Sequence, residues 1–248
     1  MTPEKRAHYL AIMACSLLVG SALARRSQNK ATLTRAQRLA VSIGAVVGGT
    51  FAAKVPFFVM DPGAFASGAA WLEGGRTLTL GLVGGYFGVE LAKLAMGIKA
   101  KTGDGFVVPV AAAIAIGRLG CFVGGCCFGV ETHLPWGVDF GDGVHRHPTQ
   151  LYEALFHASC ALFFVWAGKR GLFPRQRVKL YIIAYFIYRF ATEAIRPEPR
   201  VLLGLTFYQW TALVFVPVFI ALYLMDRRAP APGGARADAT NESTSGAA

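Results

Sequence analysis

The chain has 248 residues, of which 54% are hydrophobic and only 16% are charged. This composition argues against an ordinary soluble domain and indicates an integral membrane protein. The formal charge of +11 would favour nucleic-acid binding if the basic residues formed one stripe on a soluble surface. They are instead distributed among the connections between apolar segments, so no nucleic-acid partner is expected.

Apolar runs long enough to cross about 30 Å of hydrocarbon as a helix recur along the whole chain. They cover about 8–24, 39–60, 78–96, 106–123, 149–167, 178–195 and 203–225. The sequence therefore predicts an all-α, polytopic membrane protein with about seven transmembrane helices. Residues 1–225 would form the membrane domain, and residues 226–248, which lack apolar periodicity, would form a disordered cytoplasmic tail.

Basic residues are distributed unevenly when alternate connections are assigned to opposite sides of the membrane. Fifteen lysines and arginines fall on one side and six on the other. Because positively charged loops stay in the cytoplasm, this asymmetry predicts that the N-terminus is outside and the C-terminus is cytoplasmic.

Ionisable residues concentrate near the outer ends of three predicted helices. Arg118 lies near the outer end of the segment 106–123, and the next apolar segment begins with a polar stretch. That stretch contains His147, Gln150, Tyr152 and Glu153. On the segment 178–195, a single helix face carries Tyr185, Arg189 and Glu193 at i, i+4 and i+8, with Arg196 just beyond.

Arginine in a membrane segment requires a compensating partner, and two partners are compatible with this pattern. Arg118 and Arg189 could hold a phospholipid phosphate, since a guanidinium binds two phosphate oxygens with parallel hydrogen bonds. Alternatively, Arg118 could pair with Glu153 and Arg189 with Glu193 as structural ion pairs. The residue types alone leave both alternatives open.

Three ordered motifs resemble the bacterial phosphatidylglycerol–prolipoprotein diacylglyceryl transferase family. They are Gly117-Arg118-Leu119-Gly120-Cys121-Phe122, His147-Pro148-Thr149-Gln150-Leu151-Tyr152-Glu153 and Arg189-Phe190-Ala191-Thr192-Glu193-Ala194-Ile195-Arg196. The resemblance implies transfer of a diacylglyceryl group from phosphatidylglycerol to the lipobox cysteine of a preprolipoprotein. It also implies a multi-pass protein of the bacterial cytoplasmic (inner) membrane, with these two substrates and membrane lipids as partners and with no cofactor.

The resemblance also assigns roles to individual residues. Arg118, Arg189, Tyr185 and His147 would be catalytic, the arginines neutralising the phosphate of the leaving group. Substrate binding would fall to Gln150, Tyr152, Glu153, Glu193, Arg196, Gly84 and Gly85.

Several positions depart from the family pattern. Val83 stands where the family has a histidine proposed as general base, and Cys121, Gly124 and Cys126 replace two asparagines and a glutamate. His147 is the nearest alternative base, because a neutral imidazole can accept a proton near pH 7. Alternatively, the reaction needs no general base.

The adjacent Cys126 and Cys127 are candidate reactive thiols, and the alternative is that they only pack against the glycine turn. A metal site with His145 or His147 is disfavoured, because no second cysteine or histidine pair completes a tetrahedral set. Two other functions also remain: a phospholipid-binding or lipid-moving protein without catalysis, and a related transferase with another acceptor.

Overall fold

The computed structural model describes residues 2–28, 33–60, 63 and 77–228 of the chain. Long helices form most of this part. They are α1 (Pro3–Gln28), α2 (Arg35–Met60), α3 (Leu78–Ala95), α4 (Asp104–Val123), α5 (Thr149–Lys169), α6 (Arg177–Thr192) and α7 (Phe207–Arg228). A 3-10 helix, Glu193–Ile195, continues α6. Two antiparallel hairpins complete the described elements: β1 (Val138–Asp139) with β2 (His145–Arg146), and β3 (Arg200–Leu202) with β4 (Leu205–Thr206).

Six of these helices, all except α6, are long and apolar enough to cross a membrane by length and composition. Helix α6 has only 16 residues and contains Lys179 and Arg189. It nevertheless lies inside the bundle, where Tyr181, Ile182 and Phe186 are almost completely buried. The predicted all-α, polytopic architecture with about seven helices is confirmed.

The last predicted segment differs from the structure at both ends. The β3–β4 hairpin turns at Leu203 and Gly204, both with positive φ, so α7 begins only at Phe207. At the other end, α7 continues to Arg228, and its Asp226 pairs with Lys179 inside the bundle. The remainder of the predicted tail, 229–248, lies outside the described residues.

The surface of the bundle is apolar and its interior contains polar groups, the reverse of a soluble protein. Leu17, Leu94 and Leu162 are among the many large aliphatic side chains that are largely exposed. Gln150 and Glu153, by contrast, have no exposed area. This distribution is expected where lipid, not water, surrounds the helices.

Glycines bring α2 and α3 into direct backbone contact. A Cβ atom added at Gly48 would lie 2.3 Å from the carbonyl oxygen of Gly84, and one added at Gly44 would lie 2.4 Å from that of Gly88. Small residues at such positions allow van der Waals packing between membrane helices.

Helices α3, α4, α5 and α7 pack around α6. Val83 of α3 and Phe219 of α7 pack with Ile182 and Phe186 in one apolar cluster. A second cluster joins α4, α5 and α6, with Tyr181 as the α6 member. The hydrophobic contacts of α6 are therefore with other helices, which explains why it needs less apolar character than its neighbours.

The connectivity separates the two ends of the bundle. The motif end, as we call it, contains the last turns of α4 and α6 and the first turns of α3, α5 and α7. The basic end contains the opposite termini, where Asp226 pairs with Lys101 and Lys179, and Asp104 accepts hydrogen bonds from the backbone N–H groups of Arg175 and Arg177.

Candidate active site

Glu153 is the centre of the polar cluster at the motif end. It lies in the first turns of α5 and is completely buried. One carboxylate oxygen, Oε1, accepts hydrogen bonds from Arg118 Nη2 at 2.8 Å and from the Tyr185 hydroxyl at 2.5 Å. The other, Oε2, accepts a hydrogen bond from Arg196 Nη2 at 2.5 Å. A single carboxylate thus orients two guanidinium groups from different elements.

Arg189 is held by residues other than Glu153. Its Nη2 lies 3.1 Å from Glu193 Oε2 and 3.7 Å from Glu198 Oε1. Its guanidinium carbon also lies 4.2 Å from the centroid of the Tyr208 ring, within the range of a cation–π interaction. Both ion pairs considered from the sequence, Arg118–Glu153 and Arg189–Glu193, are therefore present.

The three arginines border one cavity of about 190 Å³. It is lined by Leu78, Thr79, Arg118, Cys127, Phe128, Tyr185, Arg189, Arg196, Pro197, Glu198 and Tyr208. Two buried guanidinium nitrogens, Arg189 Nη1 and Arg196 Nε, have no hydrogen-bond partner among the described residues. Because an unpaired buried donor is costly, these two N–H groups are available for an anionic ligand.

The cysteine turn after α4 is held by the start of α5. Gln150 Nε2 donates to the backbone carbonyl of Cys126 at 2.6 Å, and Thr149 Oγ1 donates to that of Cys127 at 2.8 Å. These hydrogen bonds retain Cys127 in a left-handed conformation, with φ of 62°. Gln150 therefore holds the turn that forms one wall of the cavity, but it does not itself line the cavity.

Three cysteines meet in this turn. The Sγ atoms of Cys121, Cys126 and Cys127 all lie within 4.8 Å of one another, and none forms a disulfide. Hydrogen bonds from the Cys121 and Cys126 thiols, together with the charges of Arg118 and Arg196, lower the pKa of the Cys127 thiol against the opposing effect of burial. Cys127 is thus the member of the candidate thiol pair that lines the cavity, and its pKa is lower than that of an ordinary thiol.

His147 and Tyr152 anchor the loop above the bundle. His147 Nδ1 lies 3.3 Å from the Tyr152 hydroxyl, which also accepts a hydrogen bond from Trp136 Nε1 at 2.7 Å. The loop is further tied to the cluster by a backbone hydrogen bond from Val130 to Ile195. Neither His147 nor Tyr152 lines the arginine cavity.

The structure brings together only part of the predicted site. Arg118, Tyr185, Arg189 and Arg196 line the cavity. Glu153 and Glu193 lie behind these residues as their carboxylate partners. The predicted residues placed elsewhere are His147, Gln150, Tyr152, Gly84, Gly85 and Cys126.

Gly84 and Gly85 lie at the contact between α3 and α2. A Cβ atom at Gly84 would meet the carbonyl oxygen of Gly48 at 2.3 Å, and one at Gly85 would lie 3.5 Å from that of Ala45. Gly85 also borders an apolar cavity of about 290 Å³ between α3, α4 and α6. Helix packing accounts for Gly84, and the substrate-binding role of both glycines stays a prediction.

Sequence reasoning missed His157, which has no exposed area. Its Nδ1 lies 2.8 Å from the Tyr181 hydroxyl, and its Nε2 lies 3.8 Å from Glu153 Oε1. The available signal was its position four residues after Glu153, which places both side chains on one face of α5. Glu198 and Tyr208 were also missed, because they reach the cavity from a connection and from the next helix.

The fold and the site define a polytopic membrane protein in which three arginines line one cavity at one end of the helical bundle. Residues 5–225 match the family described as prolipoprotein diacylglyceryl transferase. The chain belongs to this family, as the three motifs predicted, and the name of the family denotes a transferase.

Relatives with the family activity in their names match over most of their length. The phosphatidylglycerol–prolipoprotein diacylglyceryl transferase of Clostridium tetani is 28% identical over 235 residues, which cover 88% of this chain and 92% of that protein. That of Solidesulfovibrio magneticus is 34% identical over 209 residues, or 76% of this chain and 75% of that protein. That of Clostridioides difficile is 29% identical over 213 residues, or 84% and 86% respectively.

Proposed function

We propose that this protein transfers the diacylglyceryl group of phosphatidylglycerol to the lipobox cysteine thiol of a preprolipoprotein. The observation that carries the proposal is the cavity lined by Arg118, Arg189 and Arg196, of which Arg189 Nη1 and Arg196 Nε are buried and have no acceptor among the described residues. A lipid phosphate supplies the anionic oxygens that such donors require. Family membership supplies the reaction class.

The arginines would act on the leaving group. The lipobox sulfur forms a bond to the carbon of the diacylglyceryl group that carries the phosphate. The bond between that carbon and the phosphate oxygen breaks, and its electron pair leaves with glycerol phosphate. Glu153 already holds Arg118 and Arg196 in place, so little reorganisation is needed when negative charge develops on the phosphate. This preorganisation is the main catalytic contribution that the site offers.

The proton of the attacking thiol requires an acceptor or an exit. Cys127 and Glu198 both line the cavity. His147, the base suggested by the sequence, is outside this lining. By position, Cys127 and Glu198 are therefore closer to the reacting thiol than His147, but the lowered pKa of Cys127 makes its thiolate a weaker base than an ordinary one.

We further propose that the motif end faces outwards from the bacterial cytoplasmic membrane. The excess of basic residues in the opposite connections supports this orientation. Lys101, Arg175, Arg177 and Lys179 cluster at the basic end, which would then face the cytoplasm. A preprolipoprotein held by its signal peptide would meet the cavity at the outer surface.

The test uses the purified full chain in proteoliposomes that contain phosphatidylglycerol. Addition of a lipobox peptide should release glycerol phosphate and increase the peptide mass by one diacylglyceryl group. A peptide with serine in place of the lipobox cysteine is the control and should yield neither product. Bound lipid without either product would favour a non-catalytic lipid-binding protein, and glycerol phosphate release without a modified peptide would favour another acceptor.

A further inference from the structure

The three cysteines of the turn after α4 come together only through the fold. Cys121 belongs to the last turn of α4, and Gly124 and Gly125 reverse the chain so that Cys126 and Cys127 face it. The backbone N–H of Cys126 donates to the carbonyl of Cys121 at 3.1 Å. The three Sγ atoms then lie within 4.8 Å of one another, which is close enough for a single ion to bind all three after a small adjustment.

This arrangement is held independently of the thiols. Gln150 and Thr149 of α5 bind the carbonyls of Cys126 and Cys127, so the positions of both cysteines are determined from outside the triangle. Apart from the hydrogen bonds among the three thiols, the hydrogen bond of these sulfur atoms within the described residues is a long one from Cys126 Sγ to the Cys121 carbonyl, at 3.6 Å. Preorganised ligands of this kind lose little freedom when an ion binds.

We propose that Cys121, Cys126 and Cys127 bind one soft monovalent cation, represented by Cu(I), as three thiolates in trigonal geometry. Thiolates prefer soft cations, and Cu(I) accepts three-coordinate sulfur. Structural Zn(II) almost always takes four ligands, and no described histidine, aspartate or glutamate joins this group as a fourth. Each of the three thiols that still carries its proton releases it as the ion binds.

The surrounding charges offset part of the negative charge of the occupied site. Three thiolates and one monovalent cation carry a net charge of two negative units, which neighbouring cations must offset. Arg118 acts electrostatically on Cys121 and Cys127, and Arg196 acts on Cys127. Because Cys127 also lines the arginine cavity, an occupied site would change the charge at the wall of that cavity. Binding of the ion itself does not require the transferase reaction.

The experiment titrates Cu(I) anaerobically into the reduced, purified full chain against a chromogenic Cu(I) chelator. We expect one ion per chain, a thiolate-to-copper absorption band in the near ultraviolet, and protection of three of the five cysteines from maleimide. Peptide mass mapping of the wild-type protein should locate the protection at Cys121, Cys126 and Cys127. Because this mapping uses the wild-type protein, it does not depend on whether a cysteine variant folds.

Matched variants test the assignment of the ligands. The double variant Cys15→Ala/Cys160→Ala should still bind one ion, whereas Cys121→Ser and Cys127→Ser should each weaken binding at least about tenfold with unchanged circular dichroism. Unprotected thiols in the wild-type turn, or undiminished binding by Cys121→Ser/Cys126→Ser/Cys127→Ser, would refute the site. Zn(II) binding as tight as Cu(I) binding would refute the preference for a soft monovalent ion.

Discussion

Two arginines of the cavity owe their positions to the buried carboxylate of Glu153. Arg118 and Arg196 each bind it through Nη2, so each guanidinium has further N–H groups for a second acceptor. The ion pairs and the phosphate site suggested by the sequence are therefore compatible. The carboxylate of Glu153 orients Arg118 and Arg196, and the remaining N–H groups of both arginines can bind a ligand in the cavity. Removing one member of such a buried pair typically costs about 3–5 kcal/mol, which makes Glu153 important for stability as well.

Replacement of the arginines by lysine tests whether their shape matters. Arg118→Lys and Arg189→Lys should each reduce kcat by about 100-fold in the proteoliposome assay, because an ammonium keeps the charge but cannot form two parallel hydrogen bonds to phosphate. Arg170→Lys, an exposed substitution at the basic end, is the control and should leave kcat unchanged. Near-normal turnover in both cavity variants would show that Arg118 and Arg189 are only structural ion pairs.

The lowered pKa of Cys127 predicts an unusual pH dependence of alkylation. Below its own pKa near 8.5, an ordinary thiol reacts about tenfold more slowly for each pH unit that is lost. Because the pKa of Cys127 is lowered, its rate of reaction with iodoacetamide should fall much less between pH 8 and pH 6 than that of an ordinary thiol. Mass spectrometry of the Cys127 peptide measures this rate.

The control for this prediction removes the thiol donors. In Cys121→Ala/Cys126→Ala, Cys127 loses the two hydrogen bonds that stabilise its thiolate. Its alkylation should then slow with falling pH like that of an ordinary cysteine. Equal pH profiles for the two proteins would mean that the neighbouring thiols do not determine the reactivity of Cys127.

At the scale of elements, the pair α2–α3 depends on the absence of side chains. Gly44, Gly48, Gly84 and Gly88 allow the two backbones to touch, whereas Gly85 is displaced from the closest approach. In α3, packing therefore requires Gly84, whereas the adjacent Gly85 has room for an alanine side chain.

These neighbouring glycines separate packing from substrate binding. Gly84→Ala would place its Cβ 2.3 Å from both the Gly48 carbonyl oxygen and the Ala52 Cβ, so it should lower the free energy of unfolding by about 1–3 kcal/mol. Gly85→Ala meets its nearest atom at 3.5 Å and should change this free energy by less than about 0.5 kcal/mol. Unfolding in mixed micelles measures both. An increased KM for Gly85→Ala with unchanged stability would instead support its predicted role in substrate binding.

At the scale of the whole molecule, the two ends of the bundle differ in chemistry. The motif end combines the arginine cavity with an exposed hairpin, in which Asp139 Oδ1 accepts three backbone N–H groups that lower its pKa. The basic end is closed by ion pairs of Asp226 with Lys101 and Lys179. An active site open to the outside requires that the hairpin and the cavity share the outer surface.

Site-directed labelling tests this orientation. With the native cysteines replaced, Asp142→Cys in the hairpin should react with an impermeant maleimide added outside intact cells. Arg35→Cys, at the start of α2, should react only after the cells are opened. Labelling of Asp142→Cys from the cytoplasmic side alone would contradict both the proposed orientation and the position of the active site.

The sequence by itself determined the helices, the membrane class and the motif residues. Apolar runs of membrane-spanning length are local properties, so they identify the helices without knowledge of their packing. The spacing of Tyr185, Arg189 and Glu193 also follows from one helix alone, and the structure places all three in the cluster at the motif end.

Only the tertiary structure decided which of the motif residues face the cavity. His147 lies outside its lining because the hydrogen bonds of the loop direct it towards Tyr152, and Cys127 lies within it because Gln150 and Thr149 hold the turn. The triangle with Cys121 depends on the same turn. Sequence patterns specify the periodicity of a helix, but the direction of a loop side chain depends on contacts with residues distant in the chain.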